Sequence, residues 1–459
     1  MNKGKTIKAL VRFIMVIYLV IHVGFTLFCW FHLDETLFEF FTLDALGVLL
    51  LSVLSLLSIT TVIHGFIYLK NDPPRHYLLY HVALLALITA MSGAYLANGM
   101  TTVWIFVEAT TLAVAALIYH DRTPVALEAT WKYIFVCSVG IALAYLGILF
   151  LGFTVHDARL LHLSFSSVTE IAKMANPLYL KIAFIFVLVG YSTKMGLFPM
   201  HTVTVDAHTV APAPVSAFIS TALMNVGFLA IFRIYGLFSA TTILPFMNNV
   251  LLLSGLLSLL VSAGYMLKAK HNKRMLAYSS LENMGIVAIA LGVGGIGYYA
   301  AILHLVLHSL TKAGLFYQIG QSYRVMGSYL LDESGNYMKL QPAGATALLV
   351  GFLCITAIPP SGMFISELYL LQAMIARGNY VYLVLTILIL CFVLYALLTR
   401  VLHIVYSQPR TLSGHPHGKV SPWETLPQYF LFALVIFLCF IQPAPFRNII
   451  ESIINTLPR

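Results

Sequence analysis

Four titratable features stand inside long apolar runs, where an ionisable group has to have a purpose. Glu108 lies in Trp104-Ile105-Phe106-Val107-Glu108-Ala109-Thr110-Thr111 with no basic residue one turn away, so its partner is expected from another helix. Lys194 is the obvious candidate, because the middle of its group of spans holds no other Lys or Arg. His304, His308 and Lys312 follow at i, i+4, i+8, a spacing that lines them along one helical face over ~12 Å. An imidazole accepts a proton on one nitrogen and releases one from the other, so two stacked histidines beside a lysine make a relay segment. Glu367 would end that line, and Ser309, Thr311 and Gln318 would hold the bridging water that a relay of this length needs. An ionisable side chain in hydrocarbon costs about 2.5 kcal/mol or more, so such residues face a polar interior and usually work. Structural readings stand beside the chemical ones. Glu108 and Lys194 as an ion pair would fix helix packing, the histidines would bond carbonyls freed at broken helices, and Glu367 would cap a restarted half-helix.

The elements that carry these residues follow from composition. Of 459 residues, 60% are hydrophobic and 9% charged, whereas soluble domains run about 45–50% apolar and about 25% charged. Too little charge remains to cover a water-facing surface, which excludes a soluble protein and leaves no window for a sizeable soluble domain. A helix crosses a bilayer with roughly 20 apolar residues. Cutting at polar, Pro-rich and Gly-rich breaks predicts an all-α transmembrane bundle of about thirteen helices, with twelve to fourteen as the range. The spans lie near 9–31, 43–69, 77–97, 100–119, 129–153, 178–200, 213–239, 247–267, 275–292, 296–319, 342–375, 379–402 and 425–443. The sixth carries Gly196 and Pro199 beside Lys194, and the eleventh, too long for one pass, is interrupted by Pro359-Pro360-Ser361-Gly362.

Residues 77–239 and 240–402 form two groups of five spans, each with a broken helix fourth, flanked by N-terminal helices in 1–76 and by a loop and last span in 403–459. Five is odd, so the second group enters the membrane with opposite polarity. Inverted repeats with discontinuous helices place a functional site near the midplane, where the helices break.

With the N-terminus cytoplasmic, 17 of the 26 Lys and Arg residues fall in inside segments, as the positive-inside rule requires. The odd count puts the C-terminus outside. The net charge of +9 is then mostly a topology signal, and no nucleic-acid footprint is read from it. Lys3, Lys5, Lys8 and Arg12 precede an apolar run too long for a signal peptide, and a retained first helix is expected. Lys268, Lys270, Lys273 and Arg274 make the densest basic loop, mostly topological, with the capacity to dock an acidic partner. Glu282 either prolongs the polar path or pairs with that loop. The cysteines Cys29, Cys137, Cys354, Cys391 and Cys439 are widely separated and indicate no cluster, zinc site or disulfide framework. His415-Pro416-His417 offers two ligands, which are not a metal site. There is no Walker loop, no dinucleotide GxGxxG after a strand and no HExxH, so no cofactor is indicated.

Several blocks resemble the antiporter-like proton-translocating membrane subunits of respiratory complex I, Mrp-type cation/proton antiporters and membrane-bound hydrogenases. The most specific is Lys194-Met195-Gly196-Leu197-Phe198-Pro199-Met200-His201-Thr202, followed by Asp206-Ala207-His208 and Ala211-Pro212-Ala213-Pro214-Val215-Ser216-Ala217. It is similar to the family's broken-helix signature. Lys273-Arg274-Met275-Leu276-Ala277-Tyr278-Ser279-Ser280 and His308-Ser309-Leu310-Thr311-Lys312-Ala313 are further family-like blocks. Glu108-Ala109-Thr110-Thr111-Leu112 and Asn225 resemble the branch of the F component of hydrogenase-4 type complexes. The resemblance runs from about residue 77 to 402.

It implies that Glu108 and Lys194 are the pair modulated during pumping. It further implies that His304, His308 and Lys312 are the central relay, that Glu367 serves the second broken helix, and that His201, Asp206, His208, Asn225 and Glu282 are accessory. Where the family usually reads Trp-Leu-Pro before Asp206, this chain has Val203-Thr204-Val205, and Asn225 stands where many pumping members carry a lysine. The N-terminal part holds one span fewer than the usual fourteen, and no long lateral C-terminal helix is expected. The implied function is a proton channel subunit of the prokaryotic cytoplasmic membrane, driven by a partner redox module. Its implied partners are other antiporter-like and quinone-site membrane subunits, peripheral redox or hydrogenase-like subunits, and the lipid bilayer. Two alternatives remain at this point: a sodium/proton antiporter or ion-coupled uptake of a solute such as inorganic carbon, and a scaffold without transport.

Overall fold

The computed structural model describes residues 3–152, 164–409 and 420–458. Arg159, Arg410, Lys419, Arg459 and His415-Pro416-His417 lie outside the described residues. Apolar runs of span length close their own backbone hydrogen bonds, the only way an open chain crosses hydrocarbon. Twelve helices are long and apolar enough to do so, and a further apolar stretch is split into two shorter helices, Pro342–Ile355 and Gly362–Ala376. All the expected spans are therefore helical. The only paired strands among the described residues, β1 (Thr36–Leu37) and β2 (Phe41–Thr42), form a small antiparallel ribbon. The chain forms two compact units, Met1–Asn249 with Asn448–Arg459, and Val250–Arg447.

In the first unit the long helices are α1 (Lys3–Phe31), α2 (Ala45–Tyr68), α3 (Pro74–Leu96), α4 (Met100–Ile118) and α5 (Pro124–Gly152). A short α6 (Phe165–Met174) leads to α7 (Pro177–Met195), which Asn176 caps by accepting from the Leu178 N–H at 2.9 Å. The sequence reading carries this span to residue 200, but the helix stops at Met195. Gly196 takes the left-handed region at φ +78, the usual helix-ending use of glycine, and α8 (His201–Val210) restarts after it. Then come α9 (Ala213–Phe218), a π-helical turn at Ile219–Leu223, and α10 (Met224–Phe238).

The break frees carbonyls, and side chains take them up. The Leu197 N–H bonds Ser192 O at 3.2 Å, and Thr204 Oγ1 donates to Thr193 O at 3.1 Å. Thr204 belongs to the Val203-Thr204-Val205 departure, so that departure supplies a hydroxyl which ties the restarted helix to the end of α7. A second staple sits on α10. Arg233 donates to Asp44 at 2.9 Å, to Tyr95 O at 2.6 Å and to Ala97 O at 2.8 Å. It thereby covers the last carbonyls of α3 while its partner Asp44 caps α2 through the Gly47 N–H.

The second unit begins within α11 (Leu244–Lys268) and continues through α12 (Asn272–Val293) and the long α13 (Ile296–Met326). A short α14 (Tyr337–Leu340) precedes α15 (Pro342–Ile355), α16 (Gly362–Ala376), α17 (Tyr380–Tyr406) and α18 (Leu426–Phe440). Helix α13 is the hub against which α12, α15, α16 and α18 pack. At the break between α15 and α16, Ser361 accepts from the Met363 N–H at 3.1 Å and donates to Cys354 O at 3.0 Å. Ser361, not Glu367, therefore caps the restarted half-helix. The chain then forms α19 (Ala444–Ile454), an amphipathic helix that the sequence reading leaves unassigned. Its 11 residues span about 16 Å, too short to cross a bilayer. Ile449, Ile450 and Ile453 on it are buried.

Candidate functional site: two buried polar clusters

The first cluster is assembled where α5 crosses α7. The crossing is close because it is made of glycine: a Cβ on Gly190 would lie 2.5 Å from Gly140 O, and one on Gly140 would lie 2.4 Å from Thr193 Cγ2. That approach brings Tyr133, Cys137 and Ser138 of α5 to the end of α7, where Lys194 is 1% exposed. Lys194 Nζ donates to Thr111 Oγ1 at 2.8 Å and to Tyr133 OH at 3.0 Å. Glu108 is half-buried on α4. It accepts from Thr111 Oγ1 at 3.4 Å and from Ser138 Oγ at 3.3 Å.

The two charges thus meet through a hydroxyl, and no direct ion pair joins them among the described residues. Thr111 accepts from the ammonium, and its single proton has two acceptors in range, Glu108 Oε2 and Val107 O, both at 3.4 Å. The sequence reading seeks a Glu108 partner on another helix. The structure interposes a residue of Glu108's own helix.

Among the accessory residues, His201 opens α8 with its ring stacked on Phe198 at 5.9 Å between centroids. Asp206 is half-buried and His208 fully buried on the same helix. Asn225 is fully buried just after the π-helical turn, on α10, which packs against α7. π-helical turns recur at functional sites.

The second cluster centres on α13, whose unbroken course puts His304, His308 and Lys312 on one face as expected. All three are 0–1% exposed. His304 does not bond freed backbone carbonyls. Its Nε2 faces Asn283 Oδ1 at 3.0 Å and its Nδ1 faces Ser366 Oγ at 2.9 Å. The Asn283 amide nitrogen donates to Ser279 O at 2.6 Å and to Glu282. Its oxygen is thereby turned to the ring, and an amide oxygen only accepts, so His304 Nε2 carries hydrogen.

Ser366 Oγ also lies 2.8 Å from Met363 O, which gives its one proton two acceptors. With neutral His304 the serine donates to Nδ1; with protonated His304 the ring donates to the serine, which turns to Met363 O. Each ring nitrogen keeps a partner in both protonation states.

Lys312 Nζ donates to Leu276 O at 2.8 Å. Glu282 is 3% exposed and lies within electrostatic reach of both Lys312 and Glu367. An accessory residue in the sequence reading, it accepts from Asn283 and senses the charge of Lys312, with no ion pair to it among the described residues. Of the residues expected to hold bridging water, Ser309 and Thr311 bond carbonyls of their own helix at 2.8 Å and Gln318 donates to Tyr337. Thr111, Tyr133, Ser138, Asn283 and Ser366 were missed from sequence. Each is an ordinary helix residue whose value depends on which neighbour its face meets.

The relationships of the chain place it in a known family. Residues 97–392 match the family model described as NADH:quinone oxidoreductase/Mrp antiporter, TM. A Hydrogenase-4 component F homolog from Methylacidiphilum infernorum (isolate V4) is 31% identical over 409 residues, covering 86% of this chain and 84% of that one. The fold is shared with a chain of the membrane-bound sulfane sulfur reductase, an archaeal respiratory membrane complex. The TM-score is 0.84 at 20% identity, with 98% of this chain and 92% of that one covered. It is shared also with a chain of the Mrp complex from Dietzia sp. DQ12-45-1b, with a TM-score of 0.82 at 17% identity over 99% of this chain and 92% of that one. On these grounds the chain is an integral membrane protein of the NADH:quinone oxidoreductase/Mrp antiporter transmembrane family.

Proposed function

We propose that this chain is a proton-translocating subunit of a redox-driven membrane complex of the respiratory or hydrogenase type. Glu108 and Lys194 would form the charge-coupled element of the first unit. His304, His308, Lys312, Glu282 and Glu367 would form the proton-handling element of the second. The observation that carries this reading is Thr111. A lysine and a carboxylate joined through a single hydroxyl can exchange a proton through it, and the carboxylate's own link to that hydroxyl, at 3.4 Å, is weak. A direct buried ion pair resists separation, because a lone buried charge costs several kcal/mol.

A charge moving in a partner subunit would draw Lys194 from Thr111 and change the proton affinity of Glu108, since interacting groups titrate as a pair. The family relationship supports the reading, as does the name of the component F homolog, which points to a hydrogenase-type assembly. Inverted five-helix repeats over residues 77–239 and 240–402, a cytoplasmic N-terminus, an outside C-terminus and redox-subunit partners belong to the same proposal.

Lys194→Met is expected to abolish proton uptake coupled to the partner's redox reaction in sealed vesicles while the complex assembles normally. Normal pumping by that variant sinks the reading. Transport that requires sodium at constant pH replaces it with sodium/proton antiport.

A further inference from the structure

A cavity of about 510 Å³ opens between the end of α11 and the last turns of α17. Lys268, Lys270, Arg400 and His403 line it together with Leu267, Ala269, Leu331 and Thr399. Both helices end on this side, and helix C-termini favour cations.

Arg400 is fixed there, donating to Leu267 O and, at 3.3 Å, to Ala269 O, the carbonyls at the end of α11. Lys268 and Lys270 are exposed and have no ion-pair partner among the described residues. The nearby carboxylates Asp332 and Glu333 have interactions of their own. His403 Nδ1 is buried without a hydrogen-bond partner. Just beyond the cations, Tyr265, Leu267, Leu398 and Leu402 are exposed large hydrophobic side chains on helices whose apolar length spans a membrane. A ligand that satisfies both halves is an anion attached to hydrocarbon.

We propose that this cavity binds the headgroup phosphate of an anionic phospholipid through Lys268, Lys270 and Arg400, its acyl chains lying along the exposed apolar faces of α11 and α17. Basic pockets between helices at the membrane surface recognise such headgroups, and each surface lysine contributes about a fivefold factor in affinity. The proposal is independent of whether the chain moves protons.

The test uses the full chain in its native complex, washed in mild detergent and offered phosphatidylglycerol or phosphatidylcholine, with the lipid retained counted by native mass spectrometry. Wild type is expected to retain phosphatidylglycerol and not phosphatidylcholine. Lys268→Gln and Lys270→Gln, both exposed positions that leave the fold alone, should each lower retention about fivefold. Equal retention of the two lipids, or retention unchanged in the double glutamine variant, overturns the proposal. Displacement of the lipid by inorganic phosphate at low millimolar concentration would mark a free-anion site instead. A crosslink from Lys268 to an acidic segment of a neighbouring subunit would mark a protein contact. Either result also overturns it.

Discussion

The two polar clusters solve the problem of a buried lysine in different ways. In the first unit Lys194 is held by two hydroxyls, and its carboxylate is one hydroxyl away. In the second, Lys312 spends a hydrogen bond on a backbone carbonyl, and an imidazole on the same helix is clamped between an amide and a serine. The first arrangement is sensitive to where a charge sits, because hydroxyl links at 3.3–3.4 Å are weak and readily broken. The second is insensitive to protonation, since the Asn283–His304–Ser366 network re-forms around either state of the ring. One cluster is suited to sensing an outside charge and the other to gaining or losing a proton with no more than the turn of one hydroxyl.

The sharpest way to break this contrast is to remove the first cluster's framework. Gly190→Leu forces α5 from α7 and is expected to cost more than about 3 kcal/mol through overpacking. It should be read as loss of monodisperse folded chain in size-exclusion chromatography, with Gly190→Ala milder. A well-folded leucine variant would show that the glycine crossing does not hold the cluster together. Next in size is Asn283→Leu, which strands His304 Nε2 and Glu282 at a cost of about 3 kcal/mol. Proton uptake should stop although Glu108 and Lys194 are untouched, and uptake at the wild-type rate would remove the amide from the second cluster's mechanism.

Thr111→Val keeps the shape and both charges of the first cluster but deletes the bridge. The loss of about 1.4 kcal/mol expected for a charged hydrogen bond corresponds to about a tenfold slower coupled uptake, with Thr111→Ser restoring it. A valine variant that pumps as wild type would return Glu108 and Lys194 to a plain structural role. Ser366→Ala is the smallest change. His304 keeps Asn283 and loses only the turning hydroxyl, for about 1 kcal/mol and about a fivefold slower uptake, together with a smaller solvent isotope effect if that turn lies in the proton step.

Much of this is legible in the amino-acid sequence. Hydropathy placed the spans because a bilayer imposes a fixed apolar length. Glycine and proline placed both breaks, and the scarcity of charge made Glu108, Lys194, His304 and Glu367 conspicuous. Connectivity among them was not legible. Threonine and serine are frequent on these helices, and most bond a carbonyl one turn back, as Thr130 and Ser280 do. Nothing in the local sequence separates Thr111 from these, because its partners lie 83 residues away on α7 and three residues away on its own helix. Glu282 was visible, but which of its possible partners it meets depends on the rotation of α12, and hydrophobic period does not set that in a helix buried on all sides. Val203-Thr204-Val205 read as a departure from the family and proved to be the hydroxyl that closes a carbonyl at the break.

The path of the chain between its units bears on how the protein is put together. The polypeptide leaves the first unit at Asn249 and rejoins it at Asn448, so the second unit is an insertion in the first. Leu457, 6% exposed, lies within 4 Å of where a side chain on Gly236 would begin. Deleting residues 448–459 would therefore uncover part of the first unit, although those residues follow the second unit in the sequence. During translation the first unit is thus completed only after the whole of the second has been made.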